Sequence, residues 1–400
     1  MPVDTLTVPR TSAPLRWPVE PQTGGWYTDA EKQALLRVVE ASLDWRHGWR
    51  GPEEEIFEAA FARRTSAAHA VAFNAGGTAL EMVLHSLELT DGDEVVSCAV
   101  NFVGPHLAVI HQGGRLVLAE PDPLTLNLDP ADVERVLSPR TRAILVTHWN
   151  GATADIQAFL DLAARNPHPQ YGPPVVIVDA ARACGATTPA GLPVGKEGWA
   201  TVFSFERKKL MTTLGQGGMV TTDDEQLAEQ LRRLRAYGGT GHWGTKQMLT
   251  GAQAAVGLVQ LERLDEMLDA RIGRAHRRSE RLAGIGELTL PPTLHRREHV
   301  YYRYNLLVPD AWAGEGRYAL MDRLAEQFGV GSMINDRPTY LSHALIRSRT
   351  EGQHCPRAEQ LTGRLLCPIL HPLITESEEE EICEAIRRST EYLVVARPGT

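Results

Sequence analysis

The sequence predicts an α/β protein: a large domain on a mostly parallel seven-stranded sheet covered by helices, followed by a smaller α+β domain. Three observations predict it. Seven short runs rich in β-branched residues recur between His69 and Thr222. Most are separated by stretches with apolar residues at helical spacing, and such alternation builds parallel sheets buried on both faces. The 400 residues are also enough for one large core plus a smaller domain.

Taken in order, residues 1–28 are rich in Pro and Thr and read as an extended arm. Thr28 is placed to cap a helix over 28–39, and a second helical pattern covers 53–64. The strands are expected at 69–73, 94–99, 115–119, 142–147, 174–179, 200–205 and 218–222, with helices at 78–87, 101–111, 130–136 and 156–165. The stretch between Phe205 and Gly218 is too short for a helical crossover. The last two strands should therefore be antiparallel or joined by an irregular loop. Beyond them come an amphipathic helix at 224–235, a glycine-rich loop at 238–244 and a long helical pattern over 250–282. A strand at 300–308 and helices at 317–328 and 377–390 complete the chain. The expected division is an arm at 1–28, a large domain at 29–255 and a smaller domain at 256–400.

Composition excludes some classes of function. The net charge of −9 argues against a nucleic-acid partner, which needs a basic face. No run of apolar residues is long enough to span a membrane, and the N-terminus lacks the apolar core of a secretory signal. The five cysteines are scattered and odd in number, as expected of reduced thiols in a cytoplasmic protein. No His, Cys or carboxylate spacing suggests a metal site.

Three motifs could carry chemistry. Asn74-Ala75-Gly76-Gly77-Thr78 follows a strand and opens a helix, so glycines and free N–H groups could receive an anion, with Thr78 capping the helix or donating its hydroxyl. A glycine turn there is equally a structural joint. Asp179 ends the strand PVVIVD, where ligands bind in open α/β sheets. A buried carboxylate needs a cationic partner, such as a protonated pyridine nitrogen, although Asp179 could instead cap a helix starting at Ala180. The third motif is Ser204-Phe205-Glu206-Arg207-Lys208-Lys209, followed by Gly217-Gly218. A lysine just past a strand end can be desolvated into a nucleophile, and Ser204 can assist with a phosphate. Read alone, the basic triplet is a solvated loop. Read together, the three motifs supply what pyridoxal 5'-phosphate requires: a phosphate cradle, an acid for the ring nitrogen and a lysine.

With those residues in hand, the sequence resembles the DegT/DnrJ/StrS family of sugar and cyclitol aminotransferases, which are fold-type-I enzymes dependent on pyridoxal 5'-phosphate. The resemblance covers roughly residues 30 to 390 and rests on GGTAL, NFV, VDAARACGA, SFERKKLMTTLGQGG, AEPDPLTLNLDP and the segment from Cys355 to Ile382. It implies Lys209, rather than Lys208, as the Schiff-base lysine, Asp179 at the pyridine nitrogen and Phe102 stacked on the ring. It also implies Gly77, Thr78 and Ser204 at the phosphate. Two positions depart from the family pattern. Arg182 stands where the family has Gln facing the cofactor's 3-oxygen, and Lys246 stands where an Asn reaches the neighbouring subunit's phosphate. The implied assembly is a homodimer with shared active sites.

The implied reaction is transfer of an amino group from glutamate or glutamine to a keto-sugar or keto-cyclitol in natural-product biosynthesis. Arg182 and the loop SMINDRPTYLSHALI leave room for another reaction on the same scaffold, such as dehydration, oxidation or side-chain replacement. Dehydrating members replace the lysine by His, whereas this chain keeps Lys209, which favours transamination. A substrate is expected to meet residues of 333–343 and of the 49–55 loop.

Overall fold

The structure, a computed structural model, describes residues 8–18, 24–46, 51–295 and 297–396. Parts of the expected arm and the start of the 49–55 loop lie outside these residues. The strands are β1 His69–Phe73, β2 Glu94–Cys98, β3 Val100–Asn101, β4 Arg115–Ala119, β5 Thr141–Thr147, β6 Val175–Asp179, β7 Ala200–Ser204, β8 Gly218–Thr222, β9 Leu306–Leu307, β10 Ser332–Met333, β11 Arg337–Pro338 and β12 Leu365–Pro368.

Seven of them form the main sheet in the order β1-β8-β7-β6-β5-β2-β4. All run parallel except β8, which lies antiparallel between β1 and β7. The short path from Phe205 to Gly218 dictates this reversal, as the sequence predicts. Side chains alternate between the two faces. On β1, Val71 and Phe73 enter one core while Ala70 and Ala72 enter the other, and β8 splits Val220 and Met219 the same way. Helices cover both faces, so the strands are buried almost throughout.

Thr28 caps the first helix, Asp29–Ser42, in a reciprocal capping box with Glu31. The 250–282 pattern is two helices, Gly251–Glu262 and Leu264–Leu282, rather than one. They break at Arg263, which leaves helical geometry and gives its guanidinium to the buried Glu31 at 2.5 Å. Most of the expected 300–308 strand is absent. Tyr301 takes a left-handed φ of 47° and only Leu306–Leu307 pairs, with β12. Alternating aromatic and apolar residues imitate a strand there, but the backbone turns.

The C-terminal part carries β10, β12 and β9 in a three-stranded sheet with the helices Glu315–Phe328 and Glu376–Ala396. A wholly buried bidentate pair, Arg278 to Glu379, ties the long helix before it to the last helix. A separate two-stranded ladder pairs β11 with β3, bringing residues 337–338 against the large sheet's rim. None of the described helices is long and apolar enough to cross a membrane, and all five cysteines are buried and free.

Candidate active site

A cleft of about 670 Å³ opens at the carboxyl ends of the parallel strands, where an α/β sheet places its ligands. Gly77, Phe102, Asp179, Arg182, Ser204 and Lys209 all line it. Residues separated by more than a hundred positions meet because β1, β6 and β7 end at the same level in one sheet.

The phosphate cradle differs in one detail from its sequence reading. Thr78 does not cap the helix. Ala75 occupies the cap position of Gly76–His85 with no side-chain bond. The Thr78 hydroxyl turns back to Asn74 Oδ1 at 2.8 Å and the Ala75 carbonyl at 2.9 Å, and Thr78 is not among the residues lining the cleft. The first turn thus keeps unpaired N–H groups, which with the helix dipole attract an anion. The two glycines serve different needs. A Cβ at Gly76 would stand 2.7 Å from Ser204 Cβ, so helix and strand touch there, whereas a Cβ at Gly77 would meet nothing within 4 Å. Gly77 therefore faces open space inside the cleft.

Asp179 ends β6, 7% exposed. It caps a turn, not a helix, accepting from the Ala181 N–H at 2.9 Å. Burial pushes its carboxyl above the usual range, against the opposing effects of the Ala181 N–H and the charges of Lys209 and Arg182. A protonated pyridine nitrogen would give this carboxylate a cation in direct contact. Phe102 offers an exposed ring, 58% accessible. Asn101 fixes its backbone, accepting from the Phe102 N–H at 2.8 Å while donating to Thr147 Oγ1 at 2.9 Å.

The loop after β7 carries Lys209 and is held at several points. The Phe205 N–H donates to the Gly217 carbonyl at 2.9 Å and the Lys209 N–H to Glu206 O at 2.8 Å. Phe205 packs in an aromatic cluster, 5.6 Å from Phe57 and 5.5 Å from Phe61 between centroids. Gly24 lies against this loop so closely that a Cβ there would fall 2.1 Å from the Lys208 carbonyl oxygen.

Arg182 is not a lone cation. Its guanidinium forks onto Asp336, with Nη2 at 3.0 Å from Oδ1, and Trp149 Nε1 donates to the same carboxylate at 2.8 Å. Burial alone would raise the Asp336 carboxyl, but Arg182, the Trp149 N–H and the charge of Arg303 together outweigh it and the net direction is down. The charge expected to bear on the 3-oxygen is thus balanced within the protein. Lys246 is exposed, bridged to Ala236, and does not line the cleft of its own chain.

The sequence did not single out Tyr302 or Asn150, and it reached Asp336 only as one residue of the 333–343 substrate loop, although all three shape the site. Asp336 and Asn150 both take left-handed φ, 50° and 58°. Asn150 donates to Arg303 O at 2.8 Å and accepts from the Arg303 N–H at 3.0 Å, pinning that segment to the large sheet. The only available signal was an Asn or Asp in a loop, which tolerates left-handed backbone. Their partners are tertiary.

The cradle with open space at Gly77, the buried acid of Asp179, the exposed ring of Phe102 and the lysine together fit pyridoxal phosphate. The sequence profile of the DegT/DnrJ/EryC1/StrS aminotransferase family matches residues 29–387. The chain is 36% identical over 292 residues to the GDP-perosamine synthase of Caulobacter vibrioides, covering 71% of this chain and 75% of that protein. It is 33% identical over 368 residues to the dTDP-3-amino-3,4,6-trideoxy-alpha-D-glucose transaminase of Streptomyces venezuelae, covering 90% and 93%. Among solved structures, DesV of S. venezuelae superposes with a TM-score of 0.80 at 32% identity, covering 90% of this chain and 94% of DesV. The chain belongs to the DegT/DnrJ/EryC1/StrS family and is a pyridoxal-phosphate-dependent aminotransferase.

Proposed function

We propose that this family member transfers an amino group from glutamate or glutamine to a keto-sugar or keto-cyclitol in natural-product biosynthesis, with Lys209 as the reacting amine. The observation that carries it is the convergence of Lys209, Asp179 and the open first turn at Gly77 on one cleft. Two relatives named for amino sugars support the sugar class.

When bound, the cofactor supplies the aldehyde that takes up the amino group and a ring that draws electrons from the reacting carbon. The chain's residues do the rest. The N–H groups of the first turn at Gly76–Gly77, assisted by Ser204, hold the phosphate. Asp179 keeps a proton on the ring nitrogen. Phe102 covers one face and excludes water. Lys209 would hold the cofactor through its amine and serve as the general base that moves a proton at the reacting carbon.

The proposal extends to assembly and organisation. The protein works as a cytoplasmic homodimer, with Lys246 reaching the partner's phosphate; its exposure beside Trp243 and Tyr237, themselves 60% and 65% accessible, supports a role outside its own cleft. The chain is divided into the arm, the large domain at 29–255 and the smaller domain at 256–400.

Two measurements test the reading. Borohydride reduction followed by peptide mass analysis should place the cofactor on Lys209, and a tag on any other lysine ends that assignment. Glutamate or glutamine should convert the bound cofactor to its amine form, and a keto-sugar should restore it. If no amino donor effects the conversion, transamination is wrong for this protein.

A further inference from the structure

We infer that Tyr302 is a positioning residue for Lys209, its ring face holding the lysine's ammonium form in the cleft. This rests on Lys209 being the reacting amine. Lys209 Nζ lies 5.1 Å from the Tyr302 ring centroid, within the range where a cation is drawn to an aromatic face. Arg182 and Arg303 approach the same ring at 5.3 and 5.2 Å, so one ring serves three cations.

The backbone is arranged to put the ring there. Tyr301, directly before it, takes a φ of 47°, a conformation a bulky aromatic residue avoids. Several bonds hold it. The Val300 N–H donates to Gly151 O at 2.9 Å and the Tyr302 N–H to Asn150 O at 3.1 Å. Arg271, fully buried, gives Nη1 to the carbonyls of Tyr301 and Tyr302, both at 3.4 Å, and Nη2 to Gly24 O. Gly24 is the residue packed against the Lys208 and Lys209 carbonyls. Arg271 thus fastens the segment presenting the ring to the segment backing the lysine. The kink sends Tyr301 into the core, fully buried, and Tyr302 to the cleft wall.

A lysine that leaves the cofactor mid-reaction must stay within reach. A ring face offers a site that attracts the ammonium without fixing it as a carboxylate would. Arg182 is occupied by Asp336, so it competes weakly for that face.

The test compares Tyr302→Phe, which keeps the ring, with Tyr302→Leu, which keeps apolar bulk, using Lys208 as an internal reference. Each apoenzyme is treated with a limiting amine-acylating reagent, and acylation at Lys209 relative to Lys208 is read by peptide mass. A ring face that holds the side chain keeps the amine from the reagent, so Tyr302→Leu should raise the ratio roughly threefold to thirtyfold. Tyr302→Phe should leave it unchanged. Tyr302→Met, longer than leucine but without a ring face, should raise it as well, whereas a mere gain in access would be reversed by the added length. Equal ratios in the Leu variant and wild type, or a rise in the Leu variant that the Met variant reverses, overturn the inference. A cofactor tag found on another lysine would end the role of Lys209 without altering these ratios, so the two failures are separable.

Discussion

Replacing Asp336 by Asn should destabilise the protein severely, and replacing Arg182 by Gln at the same time should restore most of the loss. Their side chains are only 8% and 9% exposed. Removing one partner of a buried ion pair leaves an uncompensated charge and costs about 3–5 kcal/mol. At about 2.1 cal/mol/K per residue, unfolding 400 residues carries about 0.8 kcal/mol/K. Asp336→Asn should therefore lower the melting midpoint by about 4–6 °C. In the double variant both sites are neutral amides that can bond each other. The remaining cost is a hydrogen bond or two, about 2 °C. The assay is thermal unfolding of the four proteins, each as holoenzyme at saturating cofactor and as apoenzyme. The freed Arg182 in the single variant is also drawn toward Asp179, so its cofactor affinity should fall, and recover in the double. If the two single losses simply add, the pair is not a charge-balancing unit and the reasoning fails.

Three further outcomes are expected. Gly77→Ala should leave the apoenzyme's melting point unchanged and weaken cofactor binding tenfold or more, whereas Gly76→Ala should destabilise the protein itself by about 1–3 kcal/mol, because its Cβ meets Ser204. Stability should fall as pH drops below 6.5, because burial holds His106, His148 and His299 at about 3 while the unfolded chain protonates there. Each adds up to about 1.4 kcal/mol per pH unit, so chemical denaturation midpoints should decline steeply between pH 6.5 and pH 5. Mixing Lys209→Ala and Lys246→Ala subunits should recover activity through one intact site per heterodimer, and no recovery would count against shared sites.

Much of the fold was legible because strand period and turn chemistry agree. The seven runs fell within a residue or two of the strands, and the short Phe205–Gly218 path announced the reversal of β8. The candidate residues Lys209, Asp179 and Gly77 were legible because a strand end restricts where side chains can point. The rest was hidden for physical reasons. Residues 300–308 have a strand's composition, yet the turn at Tyr301 depends on bonds from Asn150 and Arg271, far away in sequence. Asp336 reads as an ordinary loop acid, and its meaning comes from Arg182, 154 positions away. Thr78 reads as a cap because no spacing rule tells a cap from a first-turn hydroxyl, three residues into the helix, that bonds back to Asn74.

The reversal at β8 also acts as a ruler. Because β7 and β8 are paired residue for residue, Ser204 opposite Gly218, the segment between them is a closed loop clamped at both ends rather than a tether. Further rungs, Arg207 to Gly215 at 3.2 Å and Thr213 to Phe205 at 3.2 Å, set its internal length. A single inserted or deleted residue between Glu206 and Leu214 cannot be absorbed by slack, and would rotate the amine out of the cleft while leaving the sheet intact. Variation in this chain's descendants should thus be tolerated in side chains along that loop long before it is tolerated in loop length.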